Sequence, residues 1–148
     1  MFGEQLKDFH WVASVRHPVT RLFSVFSFQV TKSQIDASLT ASHFEKFCER
    51  VFSCSGDLTI QQRIHTWPQT HWLPTADSGH SCSIVRQESL VDDVDALSDR
   101  VPTFASAELS HLNRSFEGNL DEYVSPSLAR RIEEHYWSDM VELGYDSV

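Results

Sequence analysis

Cysteine and long apolar runs are scarce in this sequence. The three cysteines, Cys48, Cys54 and Cys82, form no C-x-x-C pair, so their spacing indicates neither a disulfide framework nor a zinc ribbon. Buried free thiols are predicted instead. No run of 18 apolar residues occurs, so the sequence predicts no membrane-spanning segment. The first residues carry charges and lack an apolar core, so no signal peptide is predicted.

Basic residues are few in the second half of the chain. Residues 86–148 hold five Lys or Arg against fourteen Asp or Glu, whereas residues 1–85 hold seven of each class. The net charge of −9 therefore comes from the second half. Because nucleic acids and long polyanions are bound by clustered Lys and Arg, this composition disfavours both as partners. A chain of 148 residues fits one globular domain at most.

Residues 10–27, HWVASVRHPVTRLFSVFS, predict a buried strand, a tight turn and an amphipathic helix. The strand is Trp11 to Val15, a short run rich in β-formers. Pro18 suits the first turn of a helix, because its missing N–H would be unpaired there anyway. Apolar residues recur at helical spacing from Val19 onward. The opposite, polar face of the helix carries His17, Thr20, Arg21, Ser24 and Ser27.

An anion site is predicted where this polar face meets the end of the strand at Arg16. Two guanidiniums, several hydroxyls and the free N–H groups of a helix start would gather there, and together they favour a phosphate. An ordinary strand-to-helix turn with two solvated arginines is the alternative that the segment leaves open.

The rest of the chain predicts one more strand and three more helices. The form S-x-x-E at Ser42 to Glu45 predicts a capping box that opens the second helix. Cys82 to Val85 predicts a second buried strand, followed by a capping box at Ser89 to Asp92 and a helix. Ser125-Pro126 predicts the start of a last helix that ends before Gly144. Two strand–turn–helix units indicate a parallel sheet and an α/β fold.

Residues 58–81 carry few regular signals but are dense in Trp, His and Pro. A segment of that composition inside a compact domain is typical of a functional loop. A zinc site is one alternative for it, although the ligand spacings fit no established pattern. Its ligands would be His65, His71, His80 and Cys82.

The spacing R-x-x-x-x-R-x-x-S after a strand resembles a cofactor-binding element of one enzyme family. The family is the sulfotransferases that use PAPS (3′-phosphoadenosine 5′-phosphosulfate), in their carbohydrate-type branch. There a strand ends in V-R-x-P and an R-L-x-S helix follows, and here V-R-H-P stands at residues 15–18 and R-L-F-S at residues 21–24. The resemblance implies that Arg16 and Ser24 hold the 3′-phosphate of PAPS. It implies that Arg21 supports this site or binds beside them.

A second box, H-T-W-P-Q at residues 65–69, resembles the family's H-x-x-P-Q box, which usually stands as H-W-R-P-Q. His65, Pro68 and Gln69 match it, whereas Thr66 and Trp67 replace the usual Trp and Arg. The missing arginine puts in doubt any contact that it makes with sulfate or an acidic sugar.

His65 is the leading candidate for the base that takes the proton of the attacking hydroxyl. It lies in a family box, and an imidazole has a suitable unperturbed pKa. His17 and His71 are further candidates. A structural histidine bonded to a backbone group is the alternative for His65.

Further stretches continue the resemblance in the family's order. R-Q-E-S-L at residues 86–90 resembles R-x-E-x-L, and H-L-N-R-S at residues 111–115 resembles H-x-N-R-S. Arg114 is thereby implied to add a second clamp on the cofactor phosphate, with a solvated loop arginine as the alternative. Residues 123–145 have the form of the family's closing helix, whose implied role is structural.

The family's loop for the 5′-phosphosulfate has no counterpart in the sequence. That loop lies upstream, contains glycine and lysine, and is accompanied by the usual catalytic base, but no G-x-x-x-x-G-K-[ST] or similar loop occurs here. The resemblance therefore implies an α/β, P-loop NTPase-like sulfotransferase fold with a parallel sheet flanked by helices, incomplete at its N-terminus. Residues 1–148 are expected to form a single, partial domain.

The implied function is transfer of a sulfuryl group from PAPS to a hydroxyl of a carbohydrate, with no metal required. The expected partners are PAPS and a glycan acceptor, and the 148 residues alone are expected to be inactive. A non-catalytic nucleotide- or phosphate-binding remnant, or a half-domain that pairs with another chain, is the alternative. A nucleotide kinase relative is a third, which the missing Walker loop disfavours. The sequence itself does not indicate the compartment. The resemblance implies the lumenal side of the Golgi membrane for a eukaryotic member with a missing anchor, and otherwise the cytoplasm.

Overall fold

The computed structural model describes residues 9–104 and 119–148. Their strands and helices are β1 (Trp11–Val15), α1 (Pro18–Thr31), α2 (Ala41–Phe52), α3 (Ile60–Thr66), β2 (Cys82–Arg86), α4 (Leu90–Ser98), α5 (Pro126–His135) and α6 (Trp137–Leu143). The chain forms two units. In the described ranges, residues 9–16 and 71–104 belong to the first unit, and residues 17–70 and 119–148 belong to the second. The first unit contains both strands and α4, and the second contains the other five helices of the described ranges.

In the first unit, β1 and β2 pair in parallel. The register sets Trp11 opposite Cys82 and Val15 opposite Arg86. A small apolar cluster joins β2 to α4 through Val85, Val94 and Leu97. The predicted parallel pairing and the positions of both strands are confirmed, and the fold is a mixture of helices and strands consistent with an α/β sulfotransferase.

The prediction that both strands are buried is wrong. Trp11 and Val12 of β1 are 40% and 39% exposed, and Val15 is its one buried residue. In β2 only Val85 is buried. The reason is that side chains on a strand are buried by what packs on its faces, and the described apolar cluster at this sheet includes Val85 of β2 but no residue of β1.

In the second unit, an aromatic-rich core lies between α1, α2 and α5. Phe23 and Phe26 of α1 pack against Phe44 of α2 with ring centroids 5.1 and 5.4 Å apart. Phe47 of α2 and Ile132 of α5 complete this cluster. Edge-on and tilted aromatic pairs at such distances stabilise a core beyond the apolar area that they bury. The predicted apolar stripe of α1 is confirmed, since Val19, Leu22, Phe23 and Phe26 are buried.

Two predicted capping boxes are wrong although their helices exist. The hydroxyl of Thr40, two residues before Ser42, accepts the N–H of His43 and caps α2. Ser89 precedes α4 but makes no side-chain cap, and the carboxylate of Asp93 instead accepts the N–H of Arg86 at 2.7 Å. Thr40 thus caps α2 in place of Ser42. The bond between Arg86 and Asp93 links the end of β2 to α4.

Two helices differ from the sequence prediction. α3 lies in the segment predicted to be a loop, and Thr59 with Gln62 forms a complete capping box at its start. The predicted last helix is two helices, because the backbone of Tyr136 leaves helical geometry at φ −100° and ψ 33°. Ser125 caps α5 as predicted, and Gly144 ends α6 in the left-handed conformation at φ 66°.

The cysteines are all free, but only Cys48 is fully buried. Cys54 is exposed and Cys82 is half-buried, so the prediction of buried thiols is right for one of the three. In the ranges that the structure describes, each helix is too short or too polar to cross a membrane.

Candidate functional site

A cavity of about 650 Å³ lies beside α1 in the second unit. The α1 side contributes Ser24, Val25, Phe28 and Gln29. The α3 side contributes Thr59, Gln61, Gln62 and His65, and Gln34 adds to the lining from the loop after α1. Ser24 and His65, which come from two separate boxes of the sequence, therefore line the same cavity.

A buried pair of amides forms part of the cavity wall. The Nε2 of Gln62 donates to the Oε1 of Gln29 at 3.1 Å. The Oε1 of Gln62 accepts the N–H of Thr59 at 2.8 Å, so the capping box of α3 fixes the orientation of this amide. Gln29 and Gln62 are residues that the sequence prediction missed. The form T-x-x-Q at residues 59–62 was the signal available for one of them.

Arg21 connects α1 to the end of α3. Its two terminal nitrogens donate to the backbone carbonyls of Trp67 and His65 at 2.8 and 2.9 Å. Burial lowers the pKa of the Arg21 guanidinium from its ordinary value, and Tyr136 and Asp139 act in the opposite direction. Carbonyls at the end of a helix have no partner within the helix, and a cation there also complements the helix dipole. Arg21 thus holds the backbone that carries His65.

Asp139 of α6 binds the backbone at Gln69 and Thr70, where the second box ends. Its fully buried carboxylate accepts the N–H of Gln69 at 2.8 Å and the N–H of Thr70 at 3.0 Å. The Thr70 hydroxyl donates to the same carboxylate at 3.0 Å. A buried carboxylate is costly unless several donors surround it, and here they do. The H-x-x-P-Q box and the closing helix are therefore parts of one hydrogen-bonded arrangement.

Tyr136 makes a second link between the same two segments. Its buried hydroxyl donates to the carbonyl of Thr66, the last residue of α3. Burial raises the pKa of Tyr136, which keeps the phenol protonated as a donor. Thr66 is itself buried and donates its hydroxyl to the carbonyl of Gln62 at 2.8 Å. Hydrogen bonds with Arg21, Tyr136 and Asp139 therefore fix the backbone from His65 to Thr70.

His17 is a buried helix cap and does not lie on an open polar face. Its Nδ1 accepts the N–H of Val19 at 3.3 Å, and its Nε2 lies 3.1 Å from the carbonyl oxygen of Asp146. Its ring meets Tyr145 edge-on at 5.2 Å. Ser27, which the sequence placed on the same face, is also buried and donates to the carbonyl of Ser24. Of the predicted polar face, Ser24 is the residue that reaches the cavity.

The remaining predicted residues lie elsewhere. Arg16 follows β1 in the first unit and is half-buried, and His71 belongs to the same unit and is exposed. Arg114 lies outside the described residues. Within residues 9–104 and 119–148, no three or more His, Cys, Asp or Glu side chains come together as a metal site would require.

Comparison with known proteins gives one match. The sequence model of the sulfotransferase family matches residues 2–146, which is nearly the whole chain. No curated protein and no solved structure matches the chain.

Proposed function

Because this chain belongs to the sulfotransferase family, we propose that it contributes the 3′-phosphate-binding part of an enzyme that transfers a sulfuryl group from PAPS to a carbohydrate hydroxyl. The fold that we propose is the P-loop NTPase-like sulfotransferase fold, of which residues 1–148 form part. The single observation that carries the proposal is that Ser24 and His65 line one cavity in a chain of this family.

The proposed binding roles follow from the chemistry of each group. Arg16 and Ser24 bind the 3′-phosphate, since a guanidinium pairs with phosphate oxygens and a hydroxyl donates to them. Arg21 acts as a positioning residue, because its hydrogen bonds go to the carbonyls of Trp67 and His65. Arg114 would add to the phosphate site.

The proposed chemistry is a direct transfer. The acceptor oxygen forms a bond to sulfur while the bond from sulfur to the 5′-phosphate oxygen breaks, so charge builds on the departing phosphate. The proton of the acceptor hydroxyl goes to the imidazole of His65. Ser24 and His65 line the same cavity, which supports a site that holds both the cofactor and the acceptor.

Binding of adenosine 3′,5′-bisphosphate tests the cofactor roles. Arg16→Ala and Ser24→Ala should weaken binding, the first by about 2–4 kcal/mol in calorimetry if its charge-assisted bonds to phosphate are partly buried. The matched control is Arg130→Ala, which removes an exposed arginine from α5 and should leave the affinity unchanged. Equal affinities of Arg16→Ala and the unaltered protein would contradict the assignment.

Turnover tests the role of His65. In a protein that joins this chain to an upstream 5′-phosphosulfate loop, His65→Ala should lower kcat by roughly 10²–10⁴ with little change in affinity for the bisphosphate. His71→Ala is the control, since His71 is the other exposed histidine candidate. If the two variants lose activity equally, His65 is not the base. If the joined protein, without any substitution, binds the bisphosphate but sulfates no acceptor, the chain is a non-catalytic phosphate-binding remnant.

A further inference from the structure

We propose that the cavity beside α1 binds an uncharged saccharide, so that the acceptor of this enzyme is a neutral glycan and not an acidic polysaccharide. This inference rests on the proposed function and names the substrate class of the same site. It depends on three features of the cavity, which are its lining, its fixed amides and the arginines around it.

The lining is mostly polar, and His65 is its one titratable side chain among the described residues. Among the described residues that line the cavity, none is Asp, Glu, Lys or Arg. Six of the nine bear a hydroxyl or an amide: Ser24, Gln29, Gln34, Thr59, Gln61 and Gln62. Amides and hydroxyls both donate and accept, which matches the mixed donor and acceptor character of a sugar hydroxyl. The volume of about 650 Å³ lies within the usual range for small-ligand sites.

Gln29 and Gln62 offer hydrogen bonds from fixed positions. Gln29 and Gln62 are 3% and 6% exposed, and each amide is held by the bonds between them and to Thr59. Those bonds use part of the capacity of each amide, which has two N–H donors and an oxygen with two lone pairs. Because these side chains are already ordered, a ligand that bonds to them loses less entropy on binding.

An apolar surface accompanies the amides. Phe28 lines the cavity and is 36% exposed, and Val25 lies one turn before Gln29 on the same helix. The C–H face of a sugar ring packs on such a surface while its hydroxyls reach the amides. Along α1 the lining extends from Ser24 to Gln29, about 7.5 Å at 1.5 Å per residue. The amides therefore lie beyond the hydroxyl that we assign to the 3′-phosphate.

Two arginines, Arg21 and Arg63, lie close in sequence to the residues that line the cavity, and both bind backbone carbonyls. Arg21 donates to those of Trp67 and His65, and Arg63 donates to those of Leu58 and Gly56. A third cation, Lys32, lies 5.9 Å from the centroid of the Phe28 ring and is not a lining residue. At the amide end of the cavity, His65 is the one described lining side chain that could pair with a carboxylate. Loss of hydration without a permanent cation as partner is unfavourable.

Two tetrasaccharides in a ligand-observed NMR titration without PAPS provide the test. One is uncharged and consists of N-acetylglucosamine alone, and the other alternates N-acetylglucosamine with glucuronic acid. The uncharged sugar should bind at least tenfold more tightly. Stronger or equal binding of the acidic sugar, or binding of neither, would overturn the inference.

Variants locate the binding to this cavity. Gln61→Ala and Gln34→Ala each remove an exposed lining amide and should weaken binding of the uncharged sugar by roughly 3–10-fold, as expected for one hydrogen bond. Gln87→Ala, which removes a glutamine that does not line the cavity, should change nothing. An unchanged affinity in both lining variants would overturn the inference. Because these titrations contain no donor, they can fail while the bisphosphate binding of the proposed function stands, and the reverse also holds.

Discussion

Arg21 donates two hydrogen bonds to the backbone at the end of α3, and its replacement separates a positioning role from a binding role. Arg21→Ala should lower the free energy of unfolding by about 2–4 kcal/mol, because two carbonyls lose a charged donor. Arg21→Lys should lose most of this stability too, since an ammonium cannot reproduce the forked geometry. Urea unfolding measures both changes.

The control for Arg21 is Arg130→Ala, which should alter stability by less than about 0.5 kcal/mol. The affinity for adenosine 3′,5′-bisphosphate, measured on folded Arg21→Lys, gives the second readout. A loss as large as that of Arg16→Ala, with stability unchanged, would show that Arg21 binds phosphate directly.

Tyr136 and Cys48 predict a loss of stability in alkaline solution. Burial raises the pKa of both groups above their ordinary values of 10.0 and 9.0. For a raised pKa, the stabilisation is complete below the ordinary value and is lost as the pH rises towards the value in the folded protein. The free energy of unfolding should therefore fall above about pH 9. Urea titrations from pH 7 to pH 11 measure it.

Tyr136→Phe and Cys48→Ala apportion this effect. Each variant is less stable at pH 7, the first because the Thr66 carbonyl loses its donor and the second because a cavity forms. Each should also show a shallower alkaline decline than the unaltered protein. An alkaline decline of unchanged slope in both variants would assign the effect to other groups.

At the residue scale, sequence reasoning identifies candidate site residues best where they lie in a recognisable family motif. Ser24 and His65 were identified that way, and they line one cavity. The partners of Arg21 are backbone carbonyls, which leave no signature in the sequence. Gln29 is buried and accepts a hydrogen bond from Gln62, a partner 33 positions away that no local pattern indicates.

Asp139 joins α6 to the turn that begins at Gln69, and a single substitution tests this link. Asp139→Asn replaces one acceptor oxygen with an NH₂ group that faces backbone donors. We expect a loss of about 2–4 kcal/mol in the free energy of unfolding, since hydrogen bonds to a buried carboxylate are lost. Thermal and urea unfolding measure the change.

Glu142→Gln is the matched control for Asp139→Asn. It removes a negative charge from an exposed position of α6 and should leave stability nearly unchanged. If both variants lose the same stability, net charge and not the buried hydrogen bonds explains the effect of Asp139→Asn.

At the element scale, local signals locate most helices but do not fix their ends. Pro18 and Ser125 mark the starts of α1 and α5 as predicted. The start of α3 carried an equally local signal at Thr59, within a segment whose Trp, His and Pro content suggested a loop. The break at Tyr136 has no local signal in the sequence. The hydroxyl of Tyr136 bonds to the carbonyl of Thr66, which is 70 positions away.

At the scale of the whole molecule, residues 1–148 alone should show no measurable sulfotransferase activity. The sequence contains no loop of the form G-x-x-x-x-G-K-[ST], so we expect these residues to lack the preorganised donors that stabilise charge on the leaving phosphate. Loss of one such donor typically costs about 10²–10³ in rate, and here a whole loop is concerned. Radiolabelled PAPS with a panel of sugar acceptors measures turnover.

The comparison for this assay is the same chain with the family's upstream segment, fused or added separately. Activity should appear only with that segment, while weak binding of the bisphosphate survives without it. Turnover by residues 1–148 alone would contradict the assignment of the donor site to another segment.

The parallel pairing of the sheet was predictable from two strand–turn–helix patterns, but the exposure of its strands was not. Burial depends on what covers a strand, and a strand's own sequence does not specify how many neighbours it has. Trp11 and Val12 are apolar enough for an interior strand and are nevertheless partly exposed.

The pairing of β1 with β2 also has a consequence for the order of folding. These strands are far apart in the sequence. His10 and Ser81, which directly precede β1 and β2, form a hydrogen bond although they are 71 positions apart. Closing so long a loop costs entropy before any contact repays it, so the sheet should form after the rate-limiting step. Helices α1 and α2, which pack together and are neighbours in sequence, should nucleate folding. In stopped-flow kinetics, Phe26→Ala should slow refolding, whereas Val85→Ala should mainly accelerate unfolding. The opposite pattern would place the sheet in the folding nucleus, so that every refolding event would wait for two distant strands to find each other.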